Sequence, residues 1–119
     1  MSQDSDNPQA FIAALVARSR AAQKQIEHYS QEQVDALIRA MVWSVARPGV
    51  AEDIAQFAID ETQLGNYDGK FLKIQRKTRA TLLDIIDDKS VGVIEEYPER
   101  NIRVLAKPLG VIGALAPST

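Results

Sequence analysis

The chain of 119 residues is 45% hydrophobic and 25% charged with a formal net charge of −2, the composition of a globular protein of about one domain. Its slightly acidic balance weighs against nucleic acid or an anionic membrane surface as partner, because both attract basic proteins. It contains no cysteine and one histidine, which excludes disulfides and a thiolate nucleophile within these residues and leads us to expect no metal site. No apolar run approaches the roughly 20 residues that span a bilayer, and the polar start is no secretory signal, so we expect a cytoplasmic protein.

Four amphipathic helices are predicted in the first 89 residues from start and stop signals and from apolar residues at helical spacing. Side-chain caps satisfy free backbone N–H groups where a helix starts, and glycine in a left-handed conformation commonly ends one. The first helix is predicted to start at Asn7-Pro8, and the second at the Ser30–Gln33 capping box. The third starts near Val50 or Ala51 and ends at Gly65-Asn66. Asp68 is the predicted cap of the fourth. The third helix carries Ile54, Phe57, Ala58 and Glu61 on one face.

From Ser90 onward the hydrophobic pattern changes from a helical to an alternating period. Val91 and Val93 alternate with small residues, and Ile102, Val104 and Ala106 alternate beyond a polar turn. Two alternating runs joined by a turn predict an antiparallel hairpin with one solvated face. We place this hairpin at residues 90–107.

A continuous apolar run, Leu109 to Ala116, follows the hairpin and ends in Pro117-Ser118-Thr119. A run without a polar face is typical of a strand in a parallel sheet that is covered on both sides. Because ligands bind outside the carboxyl ends of such strands, those last three residues are candidate ligand contacts. A parallel strand needs neighbours that the rest of the chain does not supply, so we expect the front end of a larger α/β protein.

Three stretches of the sequence stand in the order found in one known family. They read ETQLG over residues 61–65, KSVGVIEE over residues 89–96 and KPLGVIGALAPST over residues 107–119. Together they resemble the N-terminal segment of the aldehyde dehydrogenase superfamily, and more narrowly its CoA-acylating branch. Within that branch, YSQEQVD at residues 29–35 and RKT at residues 76–78 look most like acylating sulfoacetaldehyde or semialdehyde dehydrogenases.

The resemblance implies an oxidation in two steps that the whole protein would perform on a small aldehyde. A cysteine thiolate attacks the aldehyde, hydride passes to NAD or NADP, and coenzyme A as co-substrate removes the acyl group from the thioester. Residues 108–119 would then be the first strand and turn of the cofactor domain. The cofactor-binding residues implied are Leu115, Ala116, Pro117 and Ser118, with Thr119 in the catalytic oxyanion position.

The turn departs from the pattern of ordinary aldehyde dehydrogenases, which read T-P-W-N there. Ser118 replaces the Trp, and Thr119 replaces the Asn whose amide helps to stabilise the oxyanion. Backbone contacts to a cofactor survive such changes, whereas the side-chain donor at Thr119 differs in length and chemistry. The resemblance therefore supports the cofactor contacts more strongly than the oxyanion role of Thr119.

The expected fold class is α/β: about four N-terminal helices, an antiparallel β-hairpin and the first strand of an incomplete parallel nucleotide-binding sheet. Residues 1–89 form the helical part, and the hairpin at 90–107 would be the subunit contact of a homo-oligomer. Without a cysteine, the 119 residues alone would be inactive. Two alternatives remain, an ordinary hydrolytic NAD(P)-dependent aldehyde dehydrogenase and a stand-alone helical interaction module.

Overall fold

A computed structural model describes residues 7–115, which contain four α-helices and one antiparallel hairpin. The elements are α1 (Pro8–Ile26), α2 (Gln31–Ala46), α3 (Val50–Thr62), α4 (Tyr67–Ile85), β1 (Gly92–Tyr97), a 3-10 turn (Pro98–Arg100) and β2 (Ile102–Ala106). They fall into two compact units. One is the helical unit, residues 30–90, and the other combines residues 7–29 with residues 91–115.

The first two helix starts are the predicted ones. Asn7 caps α1 by accepting the Ala10 N–H on its side-chain oxygen at 3.0 Å, and Pro8 occupies the first helical position. At α2 the Gln33 N–H donates to Ser30 Oγ at 3.3 Å, and the Ser30 N–H donates to Gln33 Oε1 at 2.9 Å. This reciprocal pair confirms the capping box.

Helix α3 begins at Val50, as predicted, but ends at Thr62 and not at Gly65-Asn66. The left-handed residue that terminates it is Gln63, with φ of 53°, and its N–H donates to the Ile59 carbonyl at 2.8 Å. Gly65 has φ of 80° and lies in the loop beyond. Gly65, which the sequence suggested as the terminator, therefore lies in the loop, whereas Gln63, a residue type that rarely adopts the left-handed conformation, ends the helix.

Helix α4 begins at Tyr67 and is capped by Asn66, so the expectation of an Asp68 cap is wrong. The Gly69 N–H donates to Asn66 Oδ1 at 2.7 Å. Asp68 lies instead in the first turn, where a carboxylate complements the helix dipole. Asn and Asp are about equally good caps, so the sequence alone does not choose between them.

The core of the helical unit is built from small side chains where α2, α3 and α4 contact one another. Ala46 is 2% exposed, and Ala51 and Ala55 are completely buried. Larger apolar side chains on α2 and α4 are half-buried, among them Val34, Ile38, Val42, Val45, Ile74 and Leu82. Alanines at a contact allow helix axes to approach closely, so we expect these positions to tolerate no larger side chain.

The apolar face that the sequence marks on α3 is not the face that the structure buries. Ala51 and Ala55, one turn apart, point into the unit, whereas Phe57 is 65% exposed and Ile54 is also exposed. The larger side chains had suggested the opposite orientation, because they release more free energy on burial. Among the described residues of α3, the two buried positions are therefore both alanines.

The hairpin is confirmed, with β1 and β2 paired antiparallel. The register sets Gly92 opposite Ala106 and Tyr97 opposite Ile102, and a bulge between Val93 and Glu95 inserts one extra residue in β1. A bulge bends a strand and increases its twist. The 3-10 turn closes the hairpin, and Asn101 after it takes the left-handed conformation with φ of 52°.

The predicted strand at Leu109 to Ala116 is not found in the part of it that the structure describes. Residues 107–115 adopt no regular structure, Leu109 is 88% exposed and Ile112 is 70% exposed. Among residues 7–115 the sheet has two antiparallel strands and no parallel one, which corrects the expected fold class. The physical reason is that a parallel strand exists only beside hydrogen-bonded neighbours, and the described residues place none alongside.

Candidate functional site

Four of the five residues predicted to form the cofactor and oxyanion site lie outside the described part of the chain. Ala116, Pro117, Ser118 and Thr119 belong to this group, so their roles stay predictions. Leu115 is the last described residue, and its side chain is fully exposed. The predicted site thus lies almost entirely outside the described residues.

The segment before residues 116–119 exposes large apolar side chains to solvent. Leu109, Ile112 and Leu115 are exposed on a stretch without regular structure, and Gly110 within it has φ of 86°. A non-glycine residue would be strained at that φ. Exposed apolar chain of this kind offers backbone groups and hydrophobic area, the two things that strand pairing uses.

The E-T-x-x-G stretch builds a compact stop at the end of α3. Thr62 Oγ1 donates to the Ala58 carbonyl at 2.6 Å and accepts the Leu64 N–H at 3.3 Å. Gln63 Nε2 donates to the Asp60 carbonyl at 2.9 Å. The Asp60 carbonyl is one of the last four that the end of α3 leaves without an intrahelical partner, and the Gln63 side chain satisfies it. The stretch therefore acts structurally in the described chain.

The hairpin contains a tyrosine–carboxylate hydrogen bond, a cross-strand ion pair and a small pocket. On one face of β1 the Tyr97 hydroxyl donates to the Glu95 carboxylate, which raises the pKa of that hydroxyl above its ordinary 10.0, and desolvation adds to the rise. Across the strands Arg103 Nε lies 2.9 Å from Glu96 Oε1. A shallow pocket at the turn is lined by Glu96, Pro98, Asn101, Ile102 and Arg103.

An open groove runs along one side of α1. Its lining is mostly apolar, with polar side chains near its two ends, and consists of Pro8, Gln9, Ile12, Ala13, Val16, Ala17 and Arg20. Within α1, which the structure describes throughout, no residue is buried. The groove is suited to contact with another surface rather than to catalysis, because the only ionisable side chain in its described lining is Arg20.

Residues 7–115 offer no group of three or more His, Asp or Glu side chains placed to hold a metal ion. In the same part of the chain, every helix falls short of the length and apolar character needed to cross a lipid bilayer.

Gln31 makes a hydrogen bond that no sequence pattern predicts. The pattern placed this residue inside the capping box, as the residue after the Ser30 cap. In the structure its side chain reaches Ser90, where the Ser90 N–H donates to Gln31 Oε1 at 2.8 Å. A contact between residues this far apart leaves no periodic signal, so only the folded chain reveals it.

Curated proteins similar to this chain are acylating aldehyde dehydrogenases and their relatives. The chain is 40% identical over 109 residues to a sulfoacetaldehyde dehydrogenase of Acholeplasma sp, and 38% identical over 108 residues to an acylating sulfoacetaldehyde dehydrogenase of Cupriavidus necator. It is 43% identical over 108 residues to an acetylating succinate-semialdehyde dehydrogenase of Clostridium kluyveri. No protein-family model matches the chain.

The coverage of these similarities is uneven. They take in 92%, 91% and 91% of this chain, but only 22%, 22% and 23% of the respective relatives. The chain thus spans about a fifth of the length of the curated relatives it matches.

Proposed function

Since the chain is homologous to the N-terminal region of acylating sulfoacetaldehyde and succinate-semialdehyde dehydrogenases, we propose that it is the N-terminal part of a CoA-acylating aldehyde dehydrogenase. The whole protein would oxidise a small aldehyde to an acyl-CoA through a cysteine thioester. The observation that carries the proposal is 38–43% identity to three such proteins across nine-tenths of this chain.

Under this proposal, the reacting groups and the supporting elements lie in different parts of the protein. The nucleophilic cysteine lies outside the 119 residues, because none occurs among them. When bound, NAD or NADP accepts the hydride and coenzyme A accepts the acyl group. The described chain contributes no reacting group, and its part is to support and present the segment that leads to the cofactor turn.

Under this proposal the chain comprises a helical part at residues 1–89, the hairpin at 90–107 and the entry to the cofactor domain at 108–119. The exposed apolar segment before Leu115 supports the last assignment, since it has the composition of a buried strand and lacks neighbours among the described residues. The full-length protein would be a cytoplasmic homo-oligomer.

The deciding experiment measures reduction of NAD and NADP by the full-length protein that carries this chain. With sulfoacetaldehyde or succinate semialdehyde as substrate, turnover should require coenzyme A and should release an acyl-CoA. Turnover that proceeds equally well without coenzyme A, yielding the free acid, would identify an ordinary hydrolytic aldehyde dehydrogenase. No aldehyde oxidation in either condition, with a range of small aldehydes, would refute the proposal.

The role proposed for Thr119 has its own test in the same full-length protein. If its side chain stabilises the oxyanion, Thr119→Ala should lower kcat by about 100-fold or more, as loss of one such donor does elsewhere. Thr119→Ser, which retains the hydroxyl, is the matched control and should keep most of the activity. If the Thr119→Ala enzyme kept the full rate, the side chain would have no oxyanion role, and residue 119 would contribute through its backbone alone.

A further inference from the structure

The side chain of Gln31 joins the two ends of the helical unit. Its Oε1 accepts the Ser90 N–H at 2.8 Å, and its Nε2 donates to Ser90 Oγ at 3.1 Å across 59 positions of sequence. The same Nε2 lies 3.4 Å from the Asp88 carbonyl oxygen. One amide at the first residue of α2 therefore holds residues 88–90, which follow the end of α4.

A neighbouring carboxylate orients this amide. Gln31 Nε2 donates to Asp35 Oδ1 at 2.7 Å, one turn further along α2. An ionised carboxylate only accepts hydrogen bonds, so it turns the NH₂ group of the amide towards itself. The amide oxygen is then left facing the Ser90 N–H, and donors and acceptors match at both ends.

The interaction is separate from the cap of α2. Ser30 and Gln33 close the capping box by themselves, and Gln31 is not a member of it. Removing the Gln31 side chain therefore leaves the helix start intact and deletes the contacts to residues 88–90. This separation makes the role of Gln31 measurable.

We infer that Gln31 is a clasp that fixes the end of the helical unit at Ser90, and that residues 88–90 open locally when the clasp is removed while α2, α3 and α4 stay folded. Beyond Ile85 the described backbone has one further helical-type bond, from the Asp88 N–H to the Ile85 carbonyl at 3.1 Å. The order of residues 88–90 therefore depends on contacts from a distant residue. This inference does not rest on the proposed function.

The size of the effect follows from the bonds that are lost. A net hydrogen bond contributes about 0.5–1.5 kcal/mol, and one or two kcal/mol change a local equilibrium by about 5- to 30-fold. Loss of the clasp should raise the open population of residues 88–90 by that factor. Amide exchange and proteolysis both follow the open population when closing is fast.

The test uses the full 119-residue chain and the variants Gln31→Ala and Gln56→Ala. Gln56 is the matched control, because its Nε2 donates to Asp60 Oδ1 at 2.8 Å in the same i to i+4 arrangement. Two rates are measured: hydrogen exchange of the Ser90 amide, relative to the Ile74 amide in the middle of α4, and trypsin cleavage after Lys89. Gln31→Ala should raise the relative exchange rate and the cleavage rate by about 5- to 30-fold, and Gln56→Ala should change neither.

The relative rate separates local opening from global unfolding, because a globally destabilised chain exchanges faster at both amides. Should Gln31→Ala fail to fold, Gln31→Glu takes its place: it keeps an acceptor for Ser90 and sets a second carboxylate against Asp35. It should give a smaller rise in the same ratio. An unchanged ratio in the folded Gln31 variant, or an equal rise in Gln56→Ala, would overturn the clasp.

Discussion

Enlarging Ala55 should destabilise the helical unit more than any substitution of similar size on its surface. The side chain is completely buried on α3, one turn from the equally buried Ala51, where α3 meets α2 and α4. Ala55→Leu adds three carbon atoms at a contact whose other members are fixed on neighbouring helices. Well-packed interiors accommodate such additions only by shifting the backbone or forcing strained rotamers.

The cost can be set against the stability of the unit. Overpacking costs about 1–3 kcal/mol, and we expect about 2 kcal/mol here. A unit of about 60 residues is stable by roughly 3–9 kcal/mol, so this is a large part of its free energy of unfolding. At about 4–8 °C per kcal/mol, Tm should fall by about 8–16 °C.

The assay is urea and thermal unfolding, followed by helix circular dichroism and by the fluorescence of Trp43. Trp43 is the single tryptophan and lies on α2, so its emission reports on the helical unit alone. Ala36→Leu, at an exposed position of α2, is the matched control and should stay within about 0.5 kcal/mol of the parent. Equal stability of the two variants would show that the helices do not meet closely at Ala55.

Three further changes probe single interactions. Ser30→Ala removes the oxygen of the capping box and should cost about 1 kcal/mol in urea unfolding, whereas Ser30→Gly should cost less; equal losses would assign the effect elsewhere. Gln75→Ala removes the donor to the Ala46 carbonyl at 2.8 Å and should cost about 1 kcal/mol, and a neutral result would mean that water replaces it. Glu95→Gln should lower the pKa of Tyr97 towards 10, measured by tyrosinate absorbance, and an unmoved titration would contradict the pairing. The raised pKa stabilises the folded state in full below the unfolded pKa, and this contribution is lost as pH rises through the folded pKa.

The helix starts and the hairpin could be predicted from the sequence because local interactions decide them. Asn7 and the Ser30–Gln33 pair reach backbone groups within three residues, and that distance is readable from spacing alone. The same holds for the alternation that gave β1 and β2. The end of α3 at Thr62 and the cap at Asn66 were missed for a related reason, since adjacent residues competed for one local role.

The candidate site was predictable as an expectation from two sources. Pro117, Ser118 and Thr119 were singled out by their place after an apolar run, and likeness to acylating dehydrogenases added Leu115 and Ala116. Their chemistry depends on groups that a strand acquires from its neighbours, and the run from Leu109 has none in the described residues. The site therefore stays a prediction, although homology to the N-terminal region of those enzymes is established.

By itself the sequence determined the helical and alternating segments, the caps that begin α1 and α2, and the homology, since each follows from residues close together in the chain or from their order. Tertiary structure decided which face of α3 is buried, where the Gln31 amide finds its partner and that residues 107–115 form no strand. Ala55 is buried and Phe57 exposed because α2 and α4 pack against one side of α3, and no count of apolar residues tells which side that is. Burial, distant hydrogen bonds and strand pairing all depend on what surrounds a residue once the chain has folded.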